Sequence, residues 1–291
     1  MGGLPMSSVL YDVPGPVARA RNRILGVVGV AAIGTVIGLV LYRFYATGQF
    51  APRMWEWITY IEIQYRILEA LWNTVRAFAV AAVLSVVFGA LFAAGRLSDH
   101  SWLRVPSTAI VEFFRAVPLL ILIFILYFGL DQGIGIQISA FWAVVLGLML
   151  YNGSVLAEVF RAGINAVPRG QSEAAYALGM RKTRVMSSVL LPQGVRSMLP
   201  TILSQLVVVL KDTALGFLIL YEELLLVARQ LGSQGQLGSP ILQVALVIAV
   251  IYIGLCLILS GISRLVEKRL TRGPVAPKTT DTGQVGGAGV L

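Results

Sequence analysis

The chain has 291 residues, 57% of them hydrophobic and 13% charged, with a net charge of +9. A soluble globular domain carries about 25% charged residues, so this composition excludes an ordinary soluble fold and points to a polytopic membrane protein. With one cysteine (Cys256) and one histidine (His100), an internal disulfide framework is excluded and a Cys/His metal centre is disfavoured.

Residues 1–20 contain Gly, Pro and Ser and read as mobile. Arg19, Arg21 and Arg23 then precede the apolar run Ile24–Leu41. That run exceeds the roughly 7–15 apolar residues of a cleaved signal peptide, so it reads as a first span. Phe50–Leu71 mixes Trp55, Trp57, Tyr60 and Tyr65 with Glu56, Glu62 and Arg66. This suits either a helix lying at the membrane–water boundary or an ordinary extracytoplasmic loop. Five more spans follow: Trp72–Ala94, Ala109–Leu130, Ile138–Val159, Met198–Tyr221 (interrupted at Lys211-Asp212) and Ile241–Val266. Each has about the 20 residues needed to cross the hydrocarbon. Only helices satisfy every backbone group inside such a segment. The expected fold is therefore all-α, a polytopic membrane protein of about six transmembrane helices. It divides into an N-terminal segment (1–23), a first span with an interfacial segment (24–71), a core (72–266) and a tail (267–291), which reads as disordered from Gly273.

Lysine and arginine set the orientation. One set of segments holds Arg19, Arg21, Arg23, Arg96, Arg104, Arg196, Lys268, Arg269 and Arg272, plus the cations of the Glu158–Pro192 interval: Arg161, Arg169, Arg181, Lys182 and Arg184. The opposite set holds Arg43, Arg53, Arg66 and Arg229. The positive-inside rule places both termini and the Glu158–Pro192 interval in the cytosol. Topology thus accounts for the basic balance without nucleic acid.

The Glu158–Pro192 interval is long and polar in an otherwise apolar chain. It reads Glu173-Ala174-Ala175, three residues, Gly179, nine residues, Val189, one residue, Leu191-Pro192. Ser172 is placed to cap a short helix whose first turn carries Glu173. Ala174, Ala175 and Ala177 keep that helix thin, and Tyr176 and Leu178 offer apolar contact. Gly179 permits a left-handed stop, and Pro192 interrupts or starts the next helix. A plain amphipathic loop helix would leave the spacing unexplained. The pattern resembles the EAA motif of bacterial ABC-importer permease subunits (E-A-A-x3-G-x9-I-x-L-P), with Val189 in place of Ile as the sole departure.

Other stretches narrow the resemblance. Glu112–Leu120 followed by Tyr127-Phe128-Gly129-Leu130, the run Ala157–Ile164 and the segment Leu210–Leu215 resemble the histidine/glutamine/glutamate permeases, nearest to glutamate-type subunits. The likeness covers roughly Leu71–Arg264. It departs at Ala116, where the family often has Gly, and in the extra N-terminal span.

This resemblance implies a subunit that forms a translocation path and performs no covalent chemistry. No G-x-x-x-x-G-K-[ST] phosphate loop is present, so a separate ABC ATPase dimer would bind ATP–Mg, with no cofactor or metal held by this chain. A second permease (a paralogue or a second copy) and an extracytoplasmic amino-acid-binding protein are also implied. The ATPase contact would fall on Arg161, Glu173, Ala174, Ala175, Tyr176, Leu178 and Gly179, in a cytosolic coupling helix. ATP-driven closure would then rock the spans between inward- and outward-open states.

Polar groups within spans are costly and invite a functional reading. Asn152, Ser154, Gln205, Lys211 and Asp212 are the candidates for the substrate pathway. Lys211 would attract a carboxylate and Asp212 an ammonium group. Alternatively Lys211 and Asp212 hold a broken span, and Asn152 and Ser154 hydrogen-bond between helices. Glu112 and Arg115 suit an i,i+3 ion pair. His100 reads as solvated, Cys256 as a small apolar residue, and the C-terminal cations as topological or lipid-facing. The competing function is an ion-gradient-driven secondary transporter; a membrane scaffold or sensor is the third.

Overall fold

The computed structural model describes residues 15–271, with side chains to residue 269. The expectations for the first fourteen residues and for the tail beyond Thr271 lie outside the described residues. Among them there is no strand. Helices follow one another: α1 (Pro16–Ala46), α2 (Ile61–Arg96), α3 (Ser101–Ala116), α4 (Leu119–Ile134), α5 (Ala140–Asn165), α6 (Arg169–Ala177), α7 (Lys182–Ile219), α8 (Leu224–Gly232) and α9 (Ile241–Thr271). Five are long and apolar enough to cross a membrane, or six if α3 and α4 form one bent span.

Several bounds differ from expectation: the second span begins at Ile61 rather than Trp72, and the fifth begins at Lys182 rather than Met198, so that Pro192 lies inside it. The first span is longer than Ile24–Leu41 at both ends, because Pro16 starts a helix well, with φ already fixed. The segment Phe50–Leu71, expected as one unit, divides: a 3-10 helix covers Pro52–Thr59, and α2 begins at Ile61. Within that 3-10 helix Trp57 is turned inward, 1% exposed, against Ala70, Leu224, Leu231 and Val244. Its aromatic character therefore serves packing.

The third span, expected as continuous Ala109–Leu130, is instead bent by 100° between Ala116 and Leu119. Pro118 lacks an N–H and forces the residue before it out of the helical region. Val117 accordingly sits extended at φ −81°, ψ 126°. Inside α4, Ile125–Gly129 widens into an i→i+5 turn.

The core forms where α2 and α5 cross. Gly89 and Gly153 make the close approach possible: a Cβ on Gly89 would lie 2.8 Å from that of Leu156, and one on Gly153 would lie 2.8 Å from the Phe88 ring. Around them Ala77, Ala81, Ile123, Val144, Val145, Leu148 and Val209 are fully enclosed. Small residues at such crossings let backbones touch, and dispersion and packing then supply the attraction that lipid cannot.

Candidate functional site

Two regions carry the predicted residues. The first follows α5, which runs past the expected Val159 end to Asn165. Glu158 and Arg161 are therefore helical residues one turn apart, and Arg161 Nε donates to Glu158 Oε2 at 3.2 Å. Pro168 redirects the chain and α6 begins at Arg169, earlier than expected. Ser172 consequently lies inside the helix and donates to the Arg169 carbonyl at 2.8 Å, so it does not cap. Glu173 falls in the second turn.

The stop occurs where the glycine indicates. Gly179 has φ +76°, its N–H meets the Tyr176 carbonyl at 2.8 Å, and the Met180 N–H meets the Ala175 carbonyl at 3.2 Å. These are the paired bonds of a Schellman motif. Ala175 is turned toward the body of the protein and buried. Glu173, Ala174, Tyr176, Leu178 and Gly179 face outward, with Leu178 83% exposed.

The second region lies between α5 and α7. Gln205 Nε2 donates to Asn152 Oδ1 at 2.7 Å, and Asn152 Nδ2 reaches Asp212 Oδ2 at 3.5 Å. Asn152 is fully buried and Asp212 half-buried. Ser154 does not join them. Two positions along a helix point to nearly opposite faces, and its hydroxyl returns to the Leu150 carbonyl at 2.7 Å. Lys211 is exposed and forms no ion pair with Asp212. At Asp212 the α-helical part of α7 ends and a 3-10 segment, Thr213–Ile219, begins.

Sequence reasoning missed Glu223. It is buried and caps α8, accepting from the Leu226 N–H at 2.7 Å and the Leu225 N–H at 2.9 Å. Tyr252 of α9 links it to Thr213, and the Thr74 hydroxyl of α2 accepts from the Leu224 N–H at 3.2 Å. A carboxylate just ahead of the apolar run Leu224-Leu225-Leu226-Val227 was the available helix-start signal. The expected Glu112–Arg115 pair is present at 3.6 Å.

A family described as the binding-protein-dependent transport system inner membrane component matches residues 85–272. The chain belongs to that family. It is 40% identical over 219 residues to the glutamate transport system permease protein GluD of Corynebacterium glutamicum, covering 75% of this chain and 77% of that protein. It is 34% identical to the arginine transport system permease protein ArtQ of Bacillus subtilis, covering 70% and 92%. Among solved structures, an amino acid ABC transporter superposes with a TM-score of 0.66 at 30% identity, over 73% of this chain and 97% of that one. The MetNI methionine transporter, at 19% identity and a TM-score of 0.60, shares the fold. The chain is thus a multi-pass, non-catalytic permease of the amino-acid ABC importers. Membership in a binding-protein-dependent family takes the place of the ion-gradient and scaffold alternatives.

Proposed function

We propose that this permease imports glutamate, and that α6 is its coupling helix, seated in a groove of a separate ABC ATPase dimer that binds ATP–Mg. The observation that carries the coupling reading is the outward presentation of Tyr176 and Leu178 on a helix anchored beneath by Ala175. An apolar side chain as exposed as Leu178, on a cationic surface, fits a protein partner better than water. Glu173, Ala174 and Gly179 shape the same surface, while Arg161 steadies its root through Glu158. Both termini then lie in the cytosol. A second permease completes the path, and an extracytoplasmic amino-acid-binding protein delivers the substrate. The 40% identity to a glutamate permease supports the choice of substrate. In this reading the partly exposed Gln205 and Asp212 face the path from this side, the buried Asn152 holds both, Lys211 is exposed beside Asp212, and Ser154 is buried behind.

The test is co-expression with the neighbouring permease and ATPase, using wild type and Gly179→Asp. A side chain at φ +76° is strained and would break the helix stop. Wild type should retain the ATPase and take up labelled glutamate with binding protein, and the variant should lose ATPase retention. Wild type without a co-purifying ATPase would refute the coupling reading. Preferential uptake of arginine or glutamine would refute the substrate.

A further inference from the structure

Both ends of the segment that carries α6 rest on the same four residues, Arg96–Asp99, the corner between α2 and α3. At the entry, Arg96 Nη1 lies 3.0 Å from Glu158 Oε2, a close ionic contact without hydrogen-bond alignment, and Glu158 in turn holds Arg161. At the exit, Lys182 forms an ion pair with Asp99. Arg96 also donates to Glu112 Oε1 of α3 at 3.1 Å, and Glu112 continues to Arg115. The result is an unbroken alternation of charge: Arg115, Glu112, Arg96, Glu158, Arg161.

Arg96 is the hub. Its side chain is only 7% exposed, against 54% for Glu112 and 27% for Glu158. A guanidinium so enclosed is held in place by the two carboxylates it bridges, and its planar fork suits contact with two partners at once. Arg96 is the one enclosed member of the network, so leaving it without a carboxylate is costly, whereas the Lys182–Asp99 pair at the exit is a surface pair, 44% and 73% exposed, that positions more than it stabilises. The chain of charges ends two residues before Val117, where the backbone turns by 100° toward α4.

We infer that Arg96 is a positioning residue for coupling: with Asp99 it clamps both ends of the α6 segment to the α2–α3 corner and passes displacement of α6 to the bent α3–α4 pair. The inference rests on the coupling reading of α6. Without the clamp, α6 could dock and still move independently of the spans. Rigid elements linked by ion pairs are the physical means by which such a displacement crosses a bundle.

The experiment uses the complete transporter in nanodiscs, comparing wild type, Arg96→Gln, the single variants Asp99→Lys and Lys182→Asp, and their double exchange. Arg96→Gln should keep its ATPase and its basal hydrolysis, while hydrolysis stimulated by binding protein, and uptake, fall about tenfold, within the usual range of coupling energies. Each single charge reversal should reduce stimulation, and the double exchange should recover it. Stimulation within twofold of wild type in Arg96→Gln overturns the clamp. If Arg96→Gln fails to fold or sheds the ATPase, the exchange pair decides: recovery supports the clamp and no recovery overturns it. Should wild type itself retain no ATPase, the coupling reading fails separately. The clamp is then read from thermal stability of the purified permease, which the double exchange must restore over either single reversal.

Discussion

Two helices of this permease, α1 and α5, invert a common expectation. α1 is the more apolar of the two, yet the most apolar stretch of α1 contributes nothing to the interior, while 56% of the corresponding stretch of α5 is buried. α1 has no buried residue, and its Gly26, Gly29, Gly34 and Gly38 have nothing within 4 Å of where a Cβ would stand. α5 buries Gly147, Asn152, Gly153, Ser154 and Gly163. In lipid, apolar character secures insertion but confers no preference for a protein neighbour. Burial instead follows close backbone approach and satisfied polar groups.

The comparison breaks most directly at the α2–α5 crossing. Gly89→Leu would drive a side chain into Leu156 and the Gly153 backbone. Overpacking of this kind should cost about 3 kcal/mol. Gly34→Leu, the same change in α1, should cost less than about 0.5 kcal/mol. Thermal unfolding of the two variants in detergent measures the contrast, and equal losses would mean that α1 packs as tightly as α5.

A smaller effect tests the polar part of the argument. Asn152→Leu keeps apolar bulk but strips Gln205 and Asp212 of their shared partner. It should cost about 1–2 kcal/mol, since buried polar groups are left unpaired. Ser154→Ala removes only a bond to its own helix and should be nearly silent in stability and in uptake. Transport assays distinguish the two roles: a lining residue changes the apparent substrate affinity, whereas one that only braces the helices changes stability alone.

The smallest effect concerns Asp99, which faces Lys182, His100 and Arg104. Its hydrogen bond and ion pair with Lys182 hold its carboxyl below the ordinary 3.8. A depressed folded value means that the stabilisation is complete above the unfolded value and is lost as pH falls through the folded one. The stability difference between wild type and Asp99→Asn should therefore stay constant from about pH 8 to about pH 5 and narrow only on acidification below 3.8. A difference that changes near neutrality would assign control to another group.

The spans and the α6 stop were legible because each depends on local signals: apolar length, and one glycine at a fixed offset. The bend at Pro118 was visible in principle, but the run Ala109–Leu130 had the length of a span, and length prevailed over the breaker. The inward packing of Trp57, beside the exposed Trp55, Tyr60 and Tyr65, was not legible because aromatics interleaved with charges look the same at a membrane boundary and under a short helix. The Asn152–Gln205–Asp212 cluster was named as separate residues, since their meeting depends on how α5 crosses α7. Arg96 was illegible for the same reason, since its partners Glu112 and Glu158 come from two other stretches of chain; Glu223 carried a local helix-start signal, and only its contact with Tyr252 depends on packing.

α1 itself is unpacked, but its attachment is not. Only Thr47–Ala51 separate it from the 3-10 helix wedged in place by Trp57, and Gln243 of α9 donates to the Gln49 carbonyl midway. Five residues drawn fully straight span about 17 Å. The C-terminal end of α1 is thus on a leash shorter than two helix diameters. It cannot diffuse away through the bilayer, and whatever sits beside it belongs to the first ring of lipid or protein around this same subunit.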